Sequence, residues 1–205
     1  MLQLQKKLDQ IIKDVITPAL KKEGFRKSGR NFYKEIEHYG LCFNIQSSLY
    51  NHSEEVRFTL NTGIFIPEIY ELFFDEKSFT FPKEYECIQR KRIGELLGLR
   101  TDLWYSITND TDESELERRL SSDIKDGIIK YFANFKCDSD VINIFNNKSF
   151  RNSPNDNAMI AGFIILHGDS EKGKEFFKEY YDSCDNEIYK QRLHRYTIKL
   201  GINNI

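Results

Sequence analysis

The chain has 205 residues, with 30 basic and 32 acidic side chains and a formal net charge of −2. That balance excludes the broad positive field that draws nucleic acid or anionic membrane non-specifically. Its 16 Phe and 11 Tyr against only 4 Pro and 11 Gly exclude collagen-like and disordered classes, and the length suits one sizeable domain or a domain with an appendage.

The first predicted element is an amphipathic helix over residues 2–22. Leu4, Leu8, Ile11, Ile12, Val15, Ile16 and Leu20 recur at helical spacing, with Lys and Asp between them. Pro18 lacks an N–H and clashes with the carbonyl four residues earlier, so a kink or a fresh helix start is expected there. Gly24 supplies a left-handed cap. From Asn31 the period changes to two. Strands are expected over 32–37, 41–49 and 56–66, joined by His38-Tyr39-Gly40 and by a polar turn at 51–55. On the second strand Leu41, Phe43 and Ile45 share one side; Cys42, Asn44 and Gln46 share the other. On the third, Val56, Phe58, Leu60, Thr62 and Ile64 oppose Arg57, Thr59, Asn61 and Gly63. This is an antiparallel meander with one apolar face, which the first helix is suited to cover.

Residues 67–74 read as a short helix and 75–85 as a loop. Two further strands are expected over 86–93 and 103–107, joined by 94–102. Leu116, Leu120, Ile124, Ile128, Tyr131, Phe132 and Phe135 then make one long helical stripe, opened by Asp112 as cap with Glu115 three residues on. After a break at 136–138, four shorter helices follow: 139–146, one capped by Ser153 with Pro154 at its first position, one begun at Gly168-Asp169-Ser170, and 185–200 ended by Gly201. The expected fold is α+β: an antiparallel sheet of four or five strands packed on a kinked N-terminal helix and a long helix. Residues 1–136 form that domain, and 137–205 a small C-terminal helical extension packed on it.

The chemistry-bearing motifs are few. No glycine-rich phosphate loop, nucleophile elbow or His-x-x-x-His pair occurs. Cys42, Cys87, Cys137 and Cys184 stand singly, which fits reduced thiols. His38 and His52 fall in turns, and His167 ends a helix, where a cation suits the dipole. No metal or cofactor is therefore expected. No apolar run is long enough to span a bilayer and the start has no signal-peptide pattern, so no membrane partner and a cytoplasmic location are expected.

One surface resists a purely structural reading. Asn44, Gln46, Thr59 and Asn61 oppose the apolar face, and Arg90, Arg92 and Trp104 from the later strands are candidates to join them. Amides donate and accept, arginine offers planar donors, and indole stacks. The competing account is an ordinary solvated or helix-covered sheet face, and register decides between the two.

Gly24-Phe25 after the proline-bearing helix, Asn31-Phe32-Tyr33, Asn44-Ile45-Gln46-Ser47, Phe58-Thr59-Leu60-Asn61-Thr62-Gly63, Arg92-Ile93-Gly94 and Asp102-Leu103-Trp104 occur in that order. With Pro18 and Leu20, they make roughly the first two thirds of the chain resemble the bacterial family called domain of unknown function 4304. The family often has a second Trp where Tyr105 stands here. The resemblance implies a fold and supplies no activity.

Three functional readings follow. The first is a non-catalytic module binding a protein partner, with an immunity-type protein that neutralises a toxin as one form. The second is an enzyme or small-ligand domain, for which Glu86, Arg90, Arg92, Glu95 and Trp104 are the residues to inspect. The third, ranked last on net charge, is single-stranded nucleic acid stacking on Trp104, Tyr105, Phe32 and Tyr33 beside Arg26, Lys27, Arg30, Arg90, Lys91 and Arg92.

Overall fold

The computed structural model describes residues 2–75, 81–145 and 154–202. It is α+β and divides into two compact units: residues 1–35, 40–64 and 81–134, and residues 36–39, 65–80 and 135–205.

The first unit opens with α1 (Leu2–Ile11) and α2 (Thr17–Lys22), joined by a π-helical turn over Ile12–Ile16. This turn is how the helix accommodates Pro18. The Thr17 N–H and hydroxyl both donate to the Ile12 carbonyl, the hydroxyl at 2.7 Å. The hydrogen-bond ladder is displaced by one residue just ahead of the proline, and the helix continues. Gly24, at φ +87°, then turns the chain as its cap spacing predicts.

The sheet is antiparallel and has six strands. β1 (Arg26–Ser28), β2 (Asn31–Glu35), β3 (Gly40–Ser47), β4 (Val56–Phe65) and β5 (Ile88–Arg92) lie in chain order. β6 (Tyr105–Ile107) pairs with β4. The sixth strand is β1, whose three side chains are all exposed and so leave no alternation to read. β5 pairs with β4 through Asn61↔Arg92, Thr62↔Lys91 and Ile64↔Ile88, while β6 pairs through Val56↔Ile107, Arg57↔Ser106 and Phe58↔Tyr105. The two short strands thus serve successive stretches of β4. Between them the chain leaves the sheet, forms α4 (Ile93–Leu96) and returns at Trp104.

Val56, Phe58, Leu60 and Ile64 of β4 and Leu41, Phe43 and Ile45 of β3 are buried, as are Leu4, Leu8, Ile11, Ile12, Ile16 and Leu20 of the N-terminal helices. Each such side chain contributes about 1.5–3 kcal/mol on burial. α5 (Glu113–Asp123), a π-turn at Ile124–Ile129 and α6 (Lys130–Phe132) form the long helix, with Leu116, Leu120, Ile124 and Ile128 buried. Asp112 caps it, accepting from the Glu115 N–H at 3.0 Å, and Lys7 ties α1 to it through Glu113 at 2.7 Å.

The second unit holds α3 (Pro67–Phe74), α7 (Asp138–Phe145), α8 (Pro154–His167), α9 (Ser170–Asp182) and α10 (Glu187–Lys199). Ser153, the expected cap of α8, lies outside the described residues. Asp169 caps α9, and Asn186 caps α10. Phe73 of α3 stacks on Tyr196 of α10 with ring centroids 3.8 Å apart, and α8 lies against α3, α7 and α9. Among the described residues no helix is long and apolar enough to cross a membrane.

Gly63 marks a close approach to the sheet: a Cβ there would stand 2.5 Å from the Cβ of Cys87. Gly63→Ala should therefore destabilise by about 1–3 kcal/mol through overpacking, and Asp112→Ala by about 1 kcal/mol through loss of the cap, both read as shifts of the urea-unfolding midpoint.

Candidate functional site

The polar face of the sheet is built by alternation. Asn31 and Asn44 stand opposite each other on β2 and β3, and the Asn44 amide donates to Asn31 Oδ1 at 2.8 Å. Asn61, on β4, donates to Gln46 Oε1 at 2.8 Å and is paired in register with Arg92. Thr59, fully buried, donates its hydroxyl to the Leu103 carbonyl at 2.8 Å. That bond fixes the chain beside Trp104.

Trp104 lies between two guanidiniums. Arg57 and Arg92 each place their central carbon 5.8 Å from its ring centroid, a cation–π distance. Arg92 is also paired with Asp102, whereas Arg57 has no carboxylate partner among the described residues. Beside the indole, Gln46, Ser48, Leu49, Tyr50, Arg57 and Trp104 line a shallow pocket of about 310 Å³. Leu49 is 96% exposed and Tyr50 87%, so two large apolar side chains stand in water next to it. Asn51 anchors this rim: it accepts from the Arg57 N–H at 2.7 Å and donates to the Arg57 carbonyl at 3.1 Å.

The same face is closed at its other end. Phe81 packs edge-on against Tyr33, and the segment through Glu84 and Cys87 lies over Gly63. Burial and the neighbouring Cys42 push the Cys87 thiol well up, and burial pushes the Tyr33 phenol up. Asn61 lies at the inner margin of the open end, 3% exposed, and its Oδ1 has no hydrogen-bond partner among the described residues. An unpaired buried acceptor costs about 1–3 kcal/mol, so a donor reaching it from the open end would gain that back.

Of the seven residues singled out from the sequence, Gln46, Asn61, Arg92 and Trp104 are gathered at the open end. Asn44 is occupied with Asn31 and Thr59 with Leu103. Arg90 is held by Glu84, Nε to Oε1 at 2.7 Å and Nη2 to Oε2 at 3.1 Å, a bidentate pair that braces the covering segment. Glu95 pairs with Lys91, and Glu86 accepts from the Lys83 N–H. Phe32, Tyr33 and Tyr105 are buried, so three of the four rings proposed as a stacking platform for nucleic acid face the interior. Arg57 stands on the expected polar face, where only the structure gives it a role. Leu49 and Tyr50 carried no signal, because they lie beyond the end of β3, where alternation stops.

A family model described as "Domain of unknown function (DUF4304)" matches residues 16–134. The chain belongs to this family. The match takes in β1 to β6 and all of the long helix, and therefore every residue of the Trp104 pocket. No curated protein and no solved structure matches the chain. α7 to α10 lie beyond the DUF4304 match.

The partners define which of these side chains build and which are free to bind. Thr59→Val should cost about 1 kcal/mol by orphaning the Leu103 carbonyl. Arg57→Ala and Tyr50→Ala, at exposed positions, should leave stability within about 0.5 kcal/mol of wild type in the same urea titration.

Proposed function

We propose that this DUF4304 chain is a non-catalytic binding module that holds a protein partner at the open end of its polar sheet face. The reading rests on one observation: Trp104 sits between Arg57 and Arg92, beside the exposed Leu49 and Tyr50. Trp, Tyr and Arg are the residue types that dominate binding energy at protein interfaces. The partner this surface suits offers an apolar side chain to Leu49, Tyr50 and Trp104 and a carboxylate to Arg57. In an immunity-type form the partner is a toxin. The four free thiols suit the reducing cytoplasm.

A second reading has its own support. A pocket of about 310 Å³ is at the lower end of the range for small-ligand sites. Its lining holds an amide, two hydroxyls, a guanidinium and two aromatic rings, but no carboxylate. It thus suits capture of a small anion-bearing aromatic better than acid–base chemistry.

The test is a paired purification from the native host, using wild type and the double variant Arg57→Ala/Tyr50→Ala. A stoichiometric protein should accompany wild type, and its affinity should fall by about 30-fold, the equivalent of 2 kcal/mol, in a double variant with an unchanged melting temperature. Retention of the partner by the variant, or no stoichiometric partner, defeats the protein-binding reading. A small molecule released only from wild type selects the second.

A further inference from the structure

The second unit contains a cluster that no spacing in the sequence marks. His38 lies in the turn between β2 and β3, and His167 is the last residue of α8. Their rings stack, with centroids 4.0 Å apart and planes 16° from parallel. Asp138, the first residue of α7, brings Oδ2 to 2.5 Å from His38 Nδ1. Glu68, in the first turn of α3, brings Oε2 to 2.9 Å from His167 Nε2. One ligating atom from each of His38, Asp138 and His167 lies within 4.8 Å of the others.

We propose that His38, Asp138 and His167 form a binding site for a first-row divalent cation, with zinc the best fit and Glu68 an additional carboxylate at its rim. Two imidazoles and a carboxylate are the donor set that such ions prefer, and water completes the shell where the protein leaves it open.

Two features favour a site over a chance meeting of ion pairs. The first is anchoring. The Asp138 N–H donates to Glu37 at 3.0 Å, the Asp138 carboxylate accepts from the His38 N–H at 3.3 Å, and Asp140 accepts from the N–H groups of Lys136 and Cys137 at 2.9 and 3.2 Å. The loop that presents Asp138 is therefore held in place before any ion arrives. The Asp138 and His167 side chains are only 15% and 11% exposed, while His38 is 55% exposed. Two ligands are set in the wall and the third stands at the mouth. The second feature is charge. Glu37, Glu68 and Asp138 converge on the two histidines, and stacked imidazoles repel one another when both carry protons. A divalent cation relieves the carboxylate repulsion and needs both rings neutral.

Zinc–nitrogen and zinc–oxygen bonds of about 2.0–2.2 Å put tetrahedral donors roughly 3.3–3.6 Å apart, so the His38–Asp138 pair must open from its 2.5 Å hydrogen bond while the donors, all within 4.8 Å of one another, settle around the ion. His38, exposed and in a turn, supplies that movement.

The test is calorimetric titration of the full chain with zinc chloride, beside the absorption spectrum of its cobalt(II) complex. Wild type should bind one equivalent saturably and melt at a higher temperature with zinc present. His38→Ala, at an exposed turn position, and Asp138→Asn should each weaken binding at least tenfold. Cys137→Ser should bind as wild type does, and the cobalt complex should lack a thiolate charge-transfer band. The proposal fails if wild type shows no saturable binding, if His38→Ala binds undiminished, or if binding follows Cys137.

Discussion

Two faces of β4 set the terms for the rest of the first unit. Its apolar side chains, Val56, Phe58, Leu60 and Ile64, anchor the core, while Thr59 and Asn61 on the other face are buried as well. Buried polar groups need partners, and this need shapes the chain around the strand. Thr59 draws the Leu103 carbonyl back to the sheet after the excursion through α4, and Asn61 donates to the Gln46 amide oxygen. Trp104 follows Leu103 and is set down between Arg57, which alternates with Thr59 on the same strand, and Arg92, which is the register partner of Asn61. The position of the indole is thus a by-product of satisfying one hydroxyl.

The polar face is not uniform. One end is sealed by Phe81, Glu84 and Cys87, with Gly63 making room for the Cys87 side chain and Arg90 bracing the seal through Glu84. The other end has no such cover among the described residues, and it collects the exposed apolar side chains of Leu49 and Tyr50. Burying one half and exposing the other explains why the same kind of polar residue builds in one place and stays available in another. The second unit reaches its candidate site by a different route. There, three helices and a turn bring ligands together that are remote in the chain.

Much of the architecture was legible because its signals are local. Asp112 and Glu115 mark a helix start within four residues, and the alternation of Phe43 and Ile45 with Asn44 and Gln46 states which face is which. Gly24 announces a left-handed turn and has one. What was not legible depends on partners or on hydrogen-bond displacement. Pro18 announces a disturbance in the first helix but not its π form at Ile12–Ile16, and the π-turn at Ile124–Ile129 moves the ladder by one residue without asking for a particular side chain. Arg90 and Arg92 share a parity and look equivalent. The register between β4 and β5 shifts between Thr62 and Ile64, with Gln89 at φ +51°, and an alternation-based reading passes over that irregularity. The meeting of His38 with His167 needs the whole second unit to be folded.

Trp104 is the single tryptophan of the chain. All indole emission from the folded protein therefore originates at the open end of the polar face, between two guanidiniums, and none comes from the core. The molecule carries an intrinsic optical probe at the surface proposed for binding. Excited at the red edge of its absorption, where the 11 tyrosines contribute little, the indole of unlabelled material reports on that surface.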